Sequence, residues 1–408
     1  MDYLIKKMIF RSLLHRCRCA VILLSKYFFS IVPKQKDLIL FSAWFGQKYA
    51  DSSMYMYEYL LEHTRYQSVW FTRNKDVYNT LKSKCKPVIY SRSLKAFWYL
   101  LRAKMYVSSI QFSDFPHYFL TNCIYFDLDH GFQVKEGPEL SQQILSYTEL
   151  LRKNVDYYHS ASSYFCMNKV SSYYHVEPTR VALVNKPRMD VLFDSRLRAG
   201  YNDIVDQLKG VKKAIVWMPT HRSDGTVSID VSKLLDLNKI QELCEKRNAV
   251  FFIKKHYYHK NEVSDLEGFS RIFDITNEEI ETQTLLYQAD VLITDYSSCY
   301  IDYLALDRPI ILYAYDMEDY LSKERNIFVP FSENNVGPKV LTTEQLCEAL
   351  DTISLEWRDD NHSEGRKELK RMFFSDSLEM GKAREETLQV MTQMLNKAYL
   401  PEWSKKYR

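Results

Sequence analysis

Glycine and proline are scarce, at 10 and 11 among 408 residues. A chain this poor in both is not a string of domains on long flexible linkers, which such residues build. There are eight cysteines but no CxxC pair; Cys17 and Cys19 sit two apart, and the others are scattered singly through apolar runs. That spacing argues against a metal site, and scattered thiols in a large chain read as reduced and intracellular. Neither GxGxxG nor GxxxxGK followed by Ser or Thr occurs, so a Rossmann dehydrogenase and a P-loop nucleotide hydrolase are both poorly supported. An excess of one charge is missing as well. Lys and Arg number 55 against 52 Asp and Glu, a formal net charge of +3, which does not mark a nucleic-acid binder.

What is present is apolar and aromatic. The chain is 46% hydrophobic, with 31 Tyr and 22 Phe. At this length two domains are expected rather than one core. The first 36 residues differ from the rest, with eight Lys or Arg and one acid, Asp2. On a helix, Lys7, Arg11, His15 and Arg18 share one face and Ile5, Ile9 and Leu13 the other. The apolar stretch from Cys19 to Val32 is shorter than the ~20 residues a spanning helix needs, and "SIVPKQKD" offers no signal-peptide cleavage site. The segment 1–36 therefore reads as a basic amphipathic anchor for an anionic inner leaflet.

Beyond it, short apolar runs alternate with helical patterns. Strands are predicted at 37–44, 68–73, 86–91, 104–109, 123–130, 156–162 and 180–185, then at 213–220, 249–256, 271–276, 290–297 and 308–316. Continuous Val/Ile/Leu/Phe runs suit strands covered on both faces, and strand–helix alternation implies parallel sheets. The expected architecture is α/β: two doubly wound Rossmann-like domains, 37–195 and 196–355, facing a cleft. A charged helical tail, 356–408, is expected to pack back on the first domain.

In open α/β sheets ligands bind beyond the carboxyl ends of the strands. The predicted ends carry Asp129-His130-Gly131 with Lys135 close behind, Pro219-Thr220-His221-Arg222, Lys254-Lys255-His256, and Asp295-Tyr296-Ser297-Ser298. Ser297 and Ser298 suit the start of a helix, whose unpaired N–H groups attract anions. Asp302, one turn further, could hold a polyol hydroxyl or orient a cation. Arg222 offers a planar fork that matches phosphate oxygens. His130 and His256 suit proton transfer near neutral pH, and Gly131 permits close backbone approach. Strand alternation would point Asp129 away from His130.

These pieces, in order, carry a resemblance: "LFSAWFGQKYADSSMYMYEYL", "DHGFQVKEG", "NKPRMDVLF", "MPTHR", "IKKH", "LITDYSSCYIDYLALDRPIILYAYDMEDY" and "VGPKVLTTEQL". The chain resembles the CDP-glycerol:poly(glycerophosphate) glycerophosphotransferases, which prime and polymerise teichoic acids and related capsule polymers. The resemblance implies a GT-B fold and peripheral, monotopic attachment to the cytoplasmic face of the bacterial cell membrane. It also implies transfer of a polyol phosphate from CDP-glycerol or CDP-ribitol to a polyprenyl-diphosphate-linked saccharide or polymer, releasing CMP with no added cofactor, metal or nucleic acid. It makes His130 the base and places His256 near the donor phosphates. Arg222, Thr220, Lys255, Asp295, Ser297, Ser298 and Asp302 become donor-site positions, and Gly131 and Lys135 phosphate or acceptor contacts. The sequence departs from the family pattern at Asp129 (usually Trp), Tyr257 (usually Pro), Asn185 (usually Gly) and His221 (often Trp). A nucleotide-sugar glycosyltransferase of the same fold and a catalytically silent membrane scaffold are the competing readings.

Overall fold

The computed structural model describes residues 2–134, 142–198, 213–222, 228–256, 259, 264–278, 280–323, 327, 329–353 and 361–397, with backbone alone at 2–14, 142–146, 321 and 323. The chain forms two compact units. The first comprises Met1–His130, Glu139–Arg188 and Leu378–Arg408; the second comprises Gly131–Pro138 and Met189–Ser377.

The first unit is built on a seven-stranded sheet: β1 (Gln35–Phe41), β2 (Gln67–Thr72), β3 (Val88–Tyr90), β4 (Ala103–Ser108), β5 (Ile124–Asp127), β6 (Asp156–Ala161) and β7 (Val181–Leu183). Its order is β3-β2-β1-β4-β5-β6-β7, and every pairing is parallel. The second unit holds β8 (Lys213–Met218), β9 (Ala249–Ile253), β10 (Ile272–Asp274), β11 (Val291–Thr294), β12 (Ile310–Tyr313) and β13 (Lys339–Val340) in the order β10-β9-β8-β11-β12-β13, again all parallel. All twelve predicted strands are present. The thirteenth, two residues long, is too short to leave a pattern. It can lie beside β12 because position 337 is glycine: a Cβ there would fall 1.7 Å from the Ile310 carbonyl oxygen.

The central strands are buried on both faces, as their unbroken apolar runs require. Ile39, Leu40, Phe41, Val107 and Phe126 are fully buried in the first unit, and Val216, Trp217, Phe251 and Ile293 in the second. Each such side chain contributes roughly 1.5–3 kcal/mol by leaving water.

Three boundaries differ from the sequence reading. β5 stops at Asp127, before the predicted end at His130. The units divide at Arg188/Met189 rather than after 195, because Arg198 donates to the Val191 carbonyl and lies over the Tyr287 ring of the second unit, 3.5 Å from its centroid. The charged tail also divides. Helix Ser363–Phe373 stays with the second unit, where buried Arg366 pairs with Asp307 at 3.0 Å. Helix Ala383–Leu395 packs on helix Asp51–His63 of the first unit, with Arg384 over Tyr59.

The N-terminal segment is a helix, Asp2–Phe29. Ile22 and Ser25 are buried, whereas Val21, Leu24, Tyr27, Phe28 and Ile31 are exposed. Among the described residues no helix is long and apolar enough to cross a membrane.

Candidate functional site

In the second unit the strand order reverses between β8 and β11, which lie side by side in register from Ile215–Val291 to Met218–Thr294. The space beyond two such carboxyl ends is where open α/β sheets hold ligands. Residues 219–222 follow β8 and 295–298 follow β11, so the topology brings two of the predicted segments to one place. Asp295, almost fully buried, joins them. It accepts from the Thr220 N–H at 2.9 Å, from the Thr220 hydroxyl at 2.6 Å and from Arg222 Nη2 at 2.9 Å.

Arg222, which the sequence suggests as a phosphate fork, is engaged by two carboxylates. Its Nε and Nη2 grip the two oxygens of Asp316 at 2.7 and 2.9 Å, its Nη1 donates to the Thr220 carbonyl, and it is 7% exposed. Tyr296, Tyr315 and Tyr320 surround it, with ring centroids 4.9–5.4 Å from the guanidinium. Its positive form is favoured further: burial opposes the charge, but Asp295 and Asp316 outweigh it. The one cation between two carboxylates holds the loop after β8 to those after β11 and β12.

Lys255 is likewise turned inward, 3.3 Å from Asp274 and from the Ser264 hydroxyl. Asp302 is buried and accepts from Gln283 Nε2 at 3.2 Å, which ties helix Cys299–Tyr303 to helix Thr282–Gln288. The helix after Ser298 is only Cys299–Tyr303, and the Ser298 side chain does not cap it. So short a helix has little macrodipole, which weakens the expected anion site. Also near this switch point are Ser297 and Ser298, both part-exposed, and His221 and His256, whose rings lie 4.6 Å apart. Ser298 Oγ stands 3.3 Å from where a Cβ on Gly131 would be, so the glycine permits the close approach its position suggested. Lys135 and Tyr257 lie outside the described residues.

In the first unit the order reverses between β1 and β4. The turn after β1 carries three successive residues in the left-handed region, Trp44, Phe45 and Gly46. Asp114 accepts from the Phe45 N–H at 2.6 Å, Arg73 donates to the Phe45 carbonyl at 2.7 Å, and the Thr72 hydroxyl donates to the Gly46 carbonyl at 2.9 Å. Strain of this kind persists only where surrounding bonds over-determine it.

One strand over, β5 delivers His130. Because the strand has ended, alternation no longer applies. Asp129 adopts φ 57° and folds its carboxylate onto its neighbour, with Oδ1 3.2 Å from His130 Nδ1. The expectation that the two side chains diverge is therefore wrong. The His130 side chain is 43% exposed and Asp129 is buried. Burial disfavours the charged imidazole, yet Asp129 outweighs it and Asp51 adds to it, so the His130 pKa is raised. Trp44 meets the ring edge-on at 5.5 Å, and Lys48 lies 4.9 Å above Trp44. Arg188 donates to the His130 carbonyl and to Asp51 at 3.0 Å. Lys186 lies 3.9 Å from Asp129.

A model of the CDP-glycerol:poly(glycerophosphate) glycerophosphotransferase family matches residues 24–392. The chain belongs to this family. Its members' reaction class follows: it is a transferase that moves a polyol phosphate from a CDP-linked donor in teichoic acid synthesis. It is 26% identical over 374 residues to the teichoic acid glycerol-phosphate transferase of Staphylococcus aureus, covering 87% of this chain and 93% of that one. It is 28% identical over 346 residues to the teichoic acid poly(glycerol phosphate) polymerase of Bacillus subtilis, covering 80% of this chain but only 45% of that longer one. The solved wall teichoic acid polymerase TagF superposes with a TM-score of 0.75 at 22% identity, covering 96% of this chain and 98% of that one. This likeness shows a GT-B-like fold. A variant of TagF has also been solved after a soak with CDPG.

Several residues at these two places carry no chemical role in the sequence reading: Asp51, Lys186 and Arg188 around His130 in the first unit, and Asp316 on Arg222 in the second. All four lie inside quoted motifs, Asp51 in "KYADSS", Lys186 and Arg188 in "NKPRMD" and Asp316 in "YAYDMEDY", but a motif names positions and not contacts. Asn185 does not use the left-handed backbone that its family counterpart, glycine, would allow; it is buried, with Nδ2 3.8 Å from Met380 Sδ.

Proposed function

We propose that this chain transfers glycerol phosphate from CDP-glycerol to a hydroxyl of a lipid-linked acceptor and releases CMP. His130 takes the proton from the attacking hydroxyl. The observation that carries this role is the position of His130: a part-exposed imidazole at the carboxyl edge of the first sheet, gripped at Nδ1 by a buried carboxylate. The hydroxyl oxygen then attacks the phosphorus that bears the glycerol, and the bond to CMP breaks. On the donor side, His256 with His221, and Ser297 with Ser298, meet the phosphates, while Asp295, Arg222, Asp316 and Thr220 hold the loops that carry them.

Glycerol is favoured over ribitol by the family description, by the printed name of the S. aureus relative and by the CDPG soak of TagF. Peripheral attachment to an anionic membrane is supported by the Asp2–Phe29 helix, whose sequence is basic and which exposes Val21, Leu24, Tyr27 and Phe28, with exposed Ile31 just beyond its end. A lipid-linked acceptor and a membrane-bound enzyme meet on the same surface.

The deciding experiment supplies the purified protein with CDP-glycerol or CDP-ribitol and a membrane extract, and measures CMP. CMP from CDP-glycerol, abolished by His130→Asn, is the expected result. Release of a nucleoside diphosphate from a nucleotide sugar would establish the glycosyltransferase reading instead.

A further inference from the structure

The turn that follows β5 places His130 through a short chain of bonds. The Leu128 N–H donates to the Ser108 carbonyl at 2.8 Å, which continues the β4 pairing for one residue. The Asp129 N–H then donates to Asp127 Oδ1 at 3.0 Å, and the backbone turns left-handed at Asp129. One oxygen of Asp129 accepts from the His130 N–H at 2.7 Å and lies 3.2 Å from His130 Nδ1. Its other oxygen faces Lys186 Nζ at 3.9 Å and His159 Nε2 at 4.0 Å. The carboxylate is thus buried and held on both sides, while the ring it touches reaches the surface.

Imidazole geometry puts Nε2 on the edge opposite Nδ1. Among the described residues nothing engages His130 Nε2. A ring oriented through one nitrogen, with the other open, is the arrangement a general base needs.

The charges around the pair favour it. Asp129 is held well below the ordinary carboxylate range; burial works against ionisation, but Lys186 and His130 outweigh it. Lys186 comes from the segment after β7, His159 from β6, and Asp127 from the end of β5, where burial pushes its carboxyl up. Asp51 and Arg188 face His130 from the other side and act on it with opposite signs. Lys48 stands beyond Trp44.

We propose that Asp129 is a positioning residue for His130: its buried carboxylate accepts the Nδ1 proton, fixes tautomer and orientation, and leaves Nε2 to receive a proton from the attacking hydroxyl. This rests on His130 being the base. In the step, the proton passes from the hydroxyl oxygen to Nε2. The oxygen–phosphorus bond forms as the bond from phosphorus to the CMP oxygen breaks. The imidazolium, paired with Asp129, later returns its proton to solvent. Lys186 serves the pair by keeping Asp129 ionised.

The test uses the full chain with nitrogen-labelled histidine, His130 being assigned from the spectrum of His130→Asn. In the parent protein the neutral ring is expected to carry its proton on Nδ1; a proton on Nε2 would overturn the proposal without any change at Asp129. Asp129→Asn keeps a residue that tolerates the left-handed turn and removes only the charge. The expected result is a lower titration midpoint for His130, an acid limb of kcat/KM that moves down with it, and a plateau lowered at least about tenfold, within the roughly 10²–10⁴-fold that positioned proton transfer contributes. Asp129→Glu is expected to bring the limb back up. A change in rate with an unmoved His130 titration would make Asp129 merely structural and sink the proposal. A moved titration together with a fully active His130→Asn would uphold the pairing and instead overturn His130 as the base.

Discussion

Arg222 and Asp316 meet two-on-two, Nε 2.7 Å from one carboxylate oxygen and Nη2 2.9 Å from the other. The pair ties the loop after β8 to the segment after β12, and Asp295 completes it from the end of β11. A guanidinium so engaged holds three strand-end segments of the second unit together.

Asp295→Asn is expected to destabilise the second unit by about 3–5 kcal/mol, the usual consequence of removing one partner of a buried ion pair. The Asp295 side chain is fully buried, and the change leaves Arg222 and Thr220 short of their acceptor. Urea unfolding followed by the fluorescence of Trp217 in β8 reads this directly. A midpoint within experimental error of the parent would mean that the cluster does not hold the fold.

His130→Asn is expected to lower kcat by roughly 10²–10⁴-fold while leaving CDP-glycerol affinity and thermal stability unchanged. Calorimetric titration with the donor and single-turnover CMP release together check this. The raised His130 pKa also sets the direction of the pH profile. Below that pKa the ring is already protonated and cannot accept the hydroxyl's proton, so activity falls on the acid side at a pH above that of an unperturbed histidine.

Asp114 is buried under the strained Trp44–Gly46 turn, and burial pushes its carboxyl up to about 7 despite the N–H bonds it accepts from Ser109, Ile110 and Phe45. A carboxyl whose folded pKa is raised stabilises the fold fully below its unfolded pKa of about 4, and that contribution is lost as pH rises through the folded value. Asp114→Asn cannot ionise. Its stability relative to the parent is therefore expected to improve steadily between about pH 4 and pH 8, by a few kcal/mol in all. Calorimetric Tm values for the two proteins across that range test it; a constant difference would show that Asp114 is already ionised at pH 4.

Leu24 and Tyr27 lie exposed on the N-terminal helix and Ile31 in the turn just after it, with Tyr27 75% and Ile31 81% exposed. Replacing all three with Ser removes transfer free energy of the order of 1.5–3 kcal/mol for each fully buried side chain. Partition onto anionic vesicles is expected to fall at least roughly tenfold, with turnover of a water-soluble acceptor analogue preserved. Unchanged sedimentation with vesicles would remove this surface from the membrane contact.

The strands were legible because a buried parallel sheet demands unbroken apolar runs, and "LILF", "AIVW", "AVFFI" and "VLIT" are such runs. Strand order was not legible, since every run satisfies the same demand. Placing β11 beside β8 rather than beside β10 depends on packing among helices far apart in sequence. The candidate positions were legible as polar strand ends, which is why His130, His256, Arg222, Ser297 and Ser298 stand out in the sequence. Their partners were not: Asp316 is 94 residues from Arg222, and although it lies inside a quoted motif, a motif does not say which side chain it meets.

The sequence alone thus determined the α/β class, the number of strands to within one, and the family, because these depend on periodicity and on short contiguous motifs. What each polar side chain touches was decided only by the folded chain. Arg222 looked like a phosphate fork and is held by two carboxylates. Asp129 was expected to point away from His130 and instead touches it, because β5 ends at Asp127 and a left-handed turn replaces strand alternation. Partner choice depends on distances between segments remote in sequence, and such distances come into being only when the strands take their order.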